Sequence, residues 1–215
     1  MIKIPIKASQ ISNLTDARYF AARGVEWLGF NLVPGTEGYT APQQVQAIRG
    51  WVEGPKMVGE FGLQTAEEII GLSEMLELDA IQIGMFGPLE EVHHRYTKDI
   101  ISERIPTEAE GPAEFLYECW QQSNFCSSYF FNFEKRGLSW QDFVKGDQWT
   151  VDWLREACQQ YEVLLSFAHL QASELDEIIR QVQPKGFNFS GGEEEKVGYK
   201  SFDELDDIFD VLEED

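Results

Sequence analysis

Ile2 to Leu32, IKIPIKASQISNLTDARYFAARGVEWLGFNL, is the stretch whose reading decides the fold. Ile2, Ile4 and Ile6 alternate with Lys3 and Lys7, a two-residue period that predicts a strand. Asn13 offers a helix cap, and Leu14, Ala17, Arg18, Ala21 and Ala22 recur at helical spacing up to a closing Gly24. Trp27 to Leu32 follows at once as a second apolar run. Strand, helix and strand in immediate succession form the unit of an alternating α/β fold, and the fold follows if that unit repeats.

It repeats to the C-terminus. A turn-rich segment, Val33 to Thr40, leads to Pro42, which suits the first turn of a helix running to about Ile48. Lys56 to Phe61 reads as strand three, Thr65 to Leu76 as a helix capped by Thr65 with Glu67 and Glu68 in its first turn, and Ala80 to Ile83 as strand four. Pro88 to Tyr96 predicts a short helix, Asp99 to Ile105 strand five, Ala113 to Gln122 a helix and Ser127 to Phe133 strand six. Beyond the connection Glu134 to Trp149 come helix Val151 to Tyr161, strand Val163 to Phe167, helix Ser173 to Val182, strand Gly186 to Phe189 and helix Phe202 to Leu212.

Eight strands alternating with helices, many of them short and apolar, predict a (β/α)8 TIM barrel forming a single domain over residues 1–215. The alternative is a doubly wound open sheet; in both, chemistry belongs at the C-terminal ends of the strands. The acidic end reads as an amphipathic helix, since Phe202, Leu205, Ile208, Phe209 and Leu212 recur at helical spacing, with only the last few residues loose.

Lysine and arginine number 17 against 38 acidic residues, a net charge of −21. That balance argues against nucleic acid and anionic membranes as partners. A small phosphorylated molecule stays open, because converging backbone amides hold phosphate within an acidic protein. Cys119, Cys126 and Cys158 are odd in number and lack metal-type spacing, and MIKIPIKASQ has no signal pattern, so the expectation is a cytoplasmic, disulfide-free protein. No apolar run approaches the roughly 20 residues that span a bilayer. No metal or other cofactor is expected, and the sequence sets no oligomeric state. Adjacent His93 and His94 diverge on a helix and make a weak metal signal.

With the strand ends placed, the run Lys7-Ala8-Ser9-Gln10-Ile11-Ser12-Asn13-Leu14-Thr15-Asp16-Ala17 resembles the opening motif of phosphoribosylanthranilate isomerases. Gly24, Leu28, Gly29 and Phe30, then Pro34, Tyr39 and Pro42, keep that family's spacing. Lys56, Gly59 and Phe61 resemble its third strand, and Asp79, Ala80, Ile81 and Gln82 its fourth. Pro184, Gly186, Ser190, Gly192, Glu194, Gly198 and Lys200 match its last strand and phosphate loop, whereas the likeness is thin from Met85 to Ser127. The resemblance implies a (β/α)8 barrel, a phosphoribosyl ligand and descent from an enzyme of tryptophan biosynthesis.

Enzymes of that family open an aminated ribose ring with a general acid and remove a C2′ proton with a general base, an Amadori rearrangement. The resemblance puts Ser9 where they carry the cysteine base and Asn132 where they carry the aspartate acid. An unassisted hydroxyl is no base near neutral pH, and an amide has no proton to exchange as an acid. Gly38 stands for the substrate-binding arginine, Gly84 for a histidine after strand four, and Ala168 and His169 for a phosphate-binding glycine pair. The ligand- or phosphate-binding candidates are Lys7, Gln82, Ala168, His169, Ser190, Gly191 and Gly192.

Strand parity adds two residues. If Ser9 faces the interior, so does Lys7, and Glu60 breaks an otherwise apolar strand, which predicts an interior Lys7–Glu60 ion pair. The sharper version makes Glu60 a replacement base. Three readings follow: a barrel that has lost the isomerase chemistry and binds a small phosphorylated ligand or a partner; an active isomerase or other sugar-phosphate enzyme rebuilt from Glu60, Glu134, Lys135, Arg136 or His169; and a scaffold whose mouth is plugged by Phe167 and Trp140. Trp140, Phe143 and Trp149 are expected to pack as a lid over the mouth or to form a partner surface.

Overall fold

The computed structural model describes residues 3–190, 194–196, 199–200 and 202–213. Eight parallel strands close into a barrel in sequence order: β1 Ile6–Ser9, β2 Trp27–Asn31, β3 Lys56–Phe61, β4 Ala80–Ile83, β5 Asp99–Arg104, β6 Ser128–Asn132, β7 Val163–Ser166 and β8 Gly186–Ser190. The register of β8 on β1, Ile6 opposite Phe187 and Ser9 opposite Ser190, shuts the ring and rules out the open sheet. The helices are α1 Leu14–Ala22, α2 Pro42–Arg49, α3 Ala66–Met75, α4 Leu89–His93, α5 Pro112–Gln122, α6 Trp140–Lys145, α7 Val151–Gln160, α8 Ala172–Val182 and α9 Asp203–Leu212.

Local chemistry starts these helices where the sequence said it would. Asn13 accepts from the Asp16 amide at the head of α1. Thr65 and Glu68 form a reciprocal capping box on α3. Two expectations at the N-terminus need correction. The first strand begins at Ile6, because the Lys3 amide turns aside to the Leu212 carbonyl at the end of α9, and Ile2 lies outside the described residues. The buried face of α1 is Asp16, Ala17 and Phe20, while Arg18 and Ala22 are exposed. Helix α4 is also shorter than its predicted span.

Two cores result. The larger lies between the outer face of the sheet and the helices. The smaller, Trp27, Val58, Ala80, Ile101, Phe130 and Leu164, fills the lower barrel interior. Burial on both faces explains why the strands read as nearly continuous apolar runs.

The 134–149 connection is less open than its length suggested, since it holds a short helical turn, Glu134–Arg136, and α6. Trp140, Phe143 and Trp149 are buried, so they are packed rather than offered to a partner. They join Phe133 and Phe167 and reach Phe115 of α5 and Trp153 of α7. This cluster continues the outer core, so Phe167 and Trp140 brace the wall and do not plug the mouth. Beyond β8, an antiparallel pair, β9 Glu194–Lys196 and β10 Tyr199–Lys200, was not anticipated. The looseness expected of the last residues falls on 214 and 215, outside the described ones.

Candidate functional site

Period-two alternation turns every second strand residue inward. Above the small apolar core, the inward positions change from apolar to polar: Lys7, Ser9, Asn31, Glu60, Gln82, Glu103, Asn132, Ser166 and Asn188. They lie toward the C-terminal strand ends, where barrels of this kind keep their chemistry.

On the β1, β3 and β8 side the polar groups satisfy one another. The Lys7 ammonium is fully buried and donates to Glu60 Oε1, to Ser9 Oγ at 2.6 Å and to Asn188 Oδ1 at 3.2 Å. All three of its protons are therefore committed. The predicted interior ion pair is present. Ser9 in turn donates to Asn188 Oδ1 at 2.6 Å, and Glu60 Oε2 accepts from the Gln10 amide at 3.3 Å. Beneath, the Phe130 ring lies 5.7 Å from Lys7 Nζ. Glycine at 29 makes room for the pair: a Cβ there would stand 2.2 Å from Glu60 Oε1 and 2.8 Å from Lys7 Nζ.

On the β4 to β7 side the arrangement differs. Glu103 is half-buried and accepts from Asn132 Nδ2 at 2.8 Å and from Gln82 Nε2 at 3.3 Å. Asn132 Oδ1 accepts from Ser166 Oγ at 3.2 Å and from the Lys135 amide at 2.9 Å. The Gln82 amide orientation follows from chemistry, since the reverse would set its oxygen against a carboxylate. Gln82 Oε1 is then a buried acceptor with no hydrogen-bond partner.

The sequence candidates thus separate. Ser9 and Asn132 belong to different clusters and do not bond to each other. Ala168 is buried, and its amide donates to the Leu138 carbonyl at 2.9 Å, so that backbone donor is occupied. His169 is exposed and takes φ 54°, a left-handed conformation that glycine adopts without strain. Burial raises the Glu134 pKa above the usual carboxylate range, and the nearby His169 charge opposes the rise. Ser190 is half-buried at the end of β8, opposite Ser9, whereas Gly191 and Gly192 lie outside the described residues. Two surface depressions, one lined by Ser73, Arg95 and Lys98 and one by Ser127, Tyr129 and Glu162, open at the opposite, N-terminal ends of strands.

Glu103, Ser166 and Asn188 were missed from the sequence. The signal was available in the rule that exposed Glu60: each is a polar residue at inward parity in a strand with apolar members. Among the described residues no helix is long and apolar enough to cross a membrane, and the three cysteines are free.

A closed parallel barrel with a polar upper interior defines the class, a (β/α)8 barrel protein. Solved structures share this architecture at low identity. Phosphoribosyl anthranilate isomerase from Thermotoga maritima superposes with a TM-score of 0.75 at 18% identity, covering 97% of this chain and 98% of that one. The enzyme from Thermus thermophilus gives 0.72 at 22% identity over the same shares. A phosphoribosyl anthranilate isomerase in complex with reduced 1-(o-carboxyphenylamino)-1-deoxyribulose 5-phosphate gives 0.73 at 18%, again over the same shares. These likenesses establish the fold. In sequence, N-(5′-phosphoribosyl)anthranilate isomerase of Deinococcus radiodurans is 31% identical over 93 residues, spanning 42% of this chain and 43% of that protein. No protein-family model matches the chain. The chain is thus similar to phosphoribosylanthranilate isomerases, in fold across nearly its whole length and in sequence over less than half of it.

Proposed function

We propose that this protein is a cytosolic isomerase-like barrel that binds a small phosphorylated molecule at its C-terminal rim and does not carry out the Amadori rearrangement. The observation that carries this reading is the state of Ser9. Its proton is given to Asn188 and its lone pair to Lys7, so the group at the family's base position has neither the basicity nor the freedom to remove a carbon-bound proton. Asn132, at the acid position, has its amide engaged by Glu103, Ser166 and the Lys135 backbone. The resembled spacing at Ser190 and beyond supports a phosphorylated ligand, as does the ligand-bound relative whose fold this chain shares. Free thiols accord with the cytosol.

Complementation of an isomerase-deficient tryptophan auxotroph tests the loss of activity. No growth is expected, at an expression level verified by immunoblot. Growth would overturn the reading and favour the rebuilt enzyme, with Glu134, two residues beyond Asn132 and with its carboxyl pKa shifted upward, as the first candidate for its acid. In that event Glu134→Gln should abolish growth.

A further inference from the structure

Resting on the small-ligand reading above, we propose that the Glu103–Gln82 side of the barrel interior is a subsite for a protonated amine, so that the ligand is an amino-bearing polyol phosphate rather than a plain sugar phosphate. The argument is one of unmatched acceptors. Among the described residues the upper interior holds one ammonium, Lys7, against two carboxylates, Glu60 and Glu103, and Lys7 is consumed by Glu60, Ser9 and Asn188. Glu103 meets only neutral amide donors, and among the described residues it has no salt-bridge partner. Its sequence neighbour Arg104 points out of the barrel to Glu110 and Glu118 over the Phe115 ring, and leaves the interior charge as it is.

A carboxylate offers about four lone-pair sites, and two of them here are taken. Beside it, Gln82 is buried and its Oε1 has no donor. Two acceptors side by side, one of them anionic, call for a cation with several protons, which an ammonium supplies and a hydroxyl only in part. A buried acceptor without a partner is destabilising, so binding that fills it gains more than a surface contact would. The net charge of −21 draws cations toward the molecule from a distance.

Isothermal titration calorimetry on the intact chain tests this with glucosamine 6-phosphate, glucose 6-phosphate and glucosamine. Glucosamine 6-phosphate is expected to bind at least about tenfold tighter than glucose 6-phosphate, as one charge-assisted hydrogen bond implies. Glu103→Gln, which preserves shape, should erase that preference, and Gln82→Met should reduce it. Equal binding of the two phosphates, unchanged in Glu103→Gln, would overturn the amine subsite and leave the phosphate reading standing. Binding of glucosamine with no contribution from phosphate, lost in Glu103→Gln, would support the subsite and remove the phosphate. If none of the three binds at millimolar concentration, both readings fall, and Gln82 Oε1 is satisfied by a buried water alone.

Discussion

Both halves of the barrel interior hold a carboxylate, a hydroxyl and an amide, but only one of them also holds an ammonium. Around Lys7, an ammonium, a carboxylate, a hydroxyl and an amide oxygen close on one another, and Lys7 has no proton to spare. Around Glu103, the carboxylate keeps unmatched acceptor capacity and the adjoining Gln82 oxygen has no donor. Polar residues inside a barrel therefore do not by themselves mark a site. The Lys7 half, Ser9 included, is satisfied within itself; the Glu103 half, Asn132 included, keeps acceptors that no side chain fills.

The largest expected effect comes from breaking the closed half. Lys7→Met leaves Glu60 buried and unpaired, and should lower the unfolding free energy by about 3–5 kcal/mol in urea denaturation. Lys7→Met with Glu60→Leu should recover most of that loss, and strictly additive losses would mean that the two do not act as a unit. Next, Gly29→Ala pushes a methyl into the same pair and should cost about 1–3 kcal/mol by the same measurement. A neutral result would show that the pair can move aside.

A third effect lies outside both halves and shows whether the interior limits stability at high pH. Burial pushes the Cys119 thiol up to about 12, above the ordinary value of about 8.5, so the folded chain keeps this proton after the unfolded chain has lost it. Its contribution is complete below the ordinary thiol pKa and declines as pH rises toward 12, by up to about 1.4 kcal/mol per unit. Cys119→Ala should flatten the alkaline limb of a stability profile recorded from pH 8 to 11. An unchanged limb would move the weak point to other groups. The smallest effect belongs to the open half: Glu103→Gln exchanges one acceptor for an amide among neutral partners and should alter stability by less than about 1 kcal/mol. A loss of several kcal/mol, as at Lys7, would erase the distinction between the halves.

Much of this was legible beforehand because it is local. Strands β3 and β4 fall on the residues the periodicity assigned, Asn13 and Thr65 cap the helices they were expected to cap, and Glu60 betrayed itself by interrupting an apolar strand. The same rule covered Glu103 and Asn188. They escaped because β5 was already polar enough to hide its inward glutamate, and because Asn188 stands between two phenylalanines in a short strand. The aromatic lid was read as packed, yet its place against the outer wall depends on α5 and α7, which no local signal brings to Phe133.

Sequence alone determined the order of elements and the direction in which each strand residue faces, since propensity, capping and period two act over a few residues; closure of the sheet came from the pairing of β8 with β1. The tertiary structure decided which inward residues meet. Ser9 and Asn188 are 179 positions apart and bond only because β8 closes on β1, and Asn132 reaches Glu103 across 29 positions because β6 lies beside β5 in a set register. Hydrogen bonds reach little beyond about 3 Å, so closure and register settle which polar groups are quenched and which keep an unfilled acceptor.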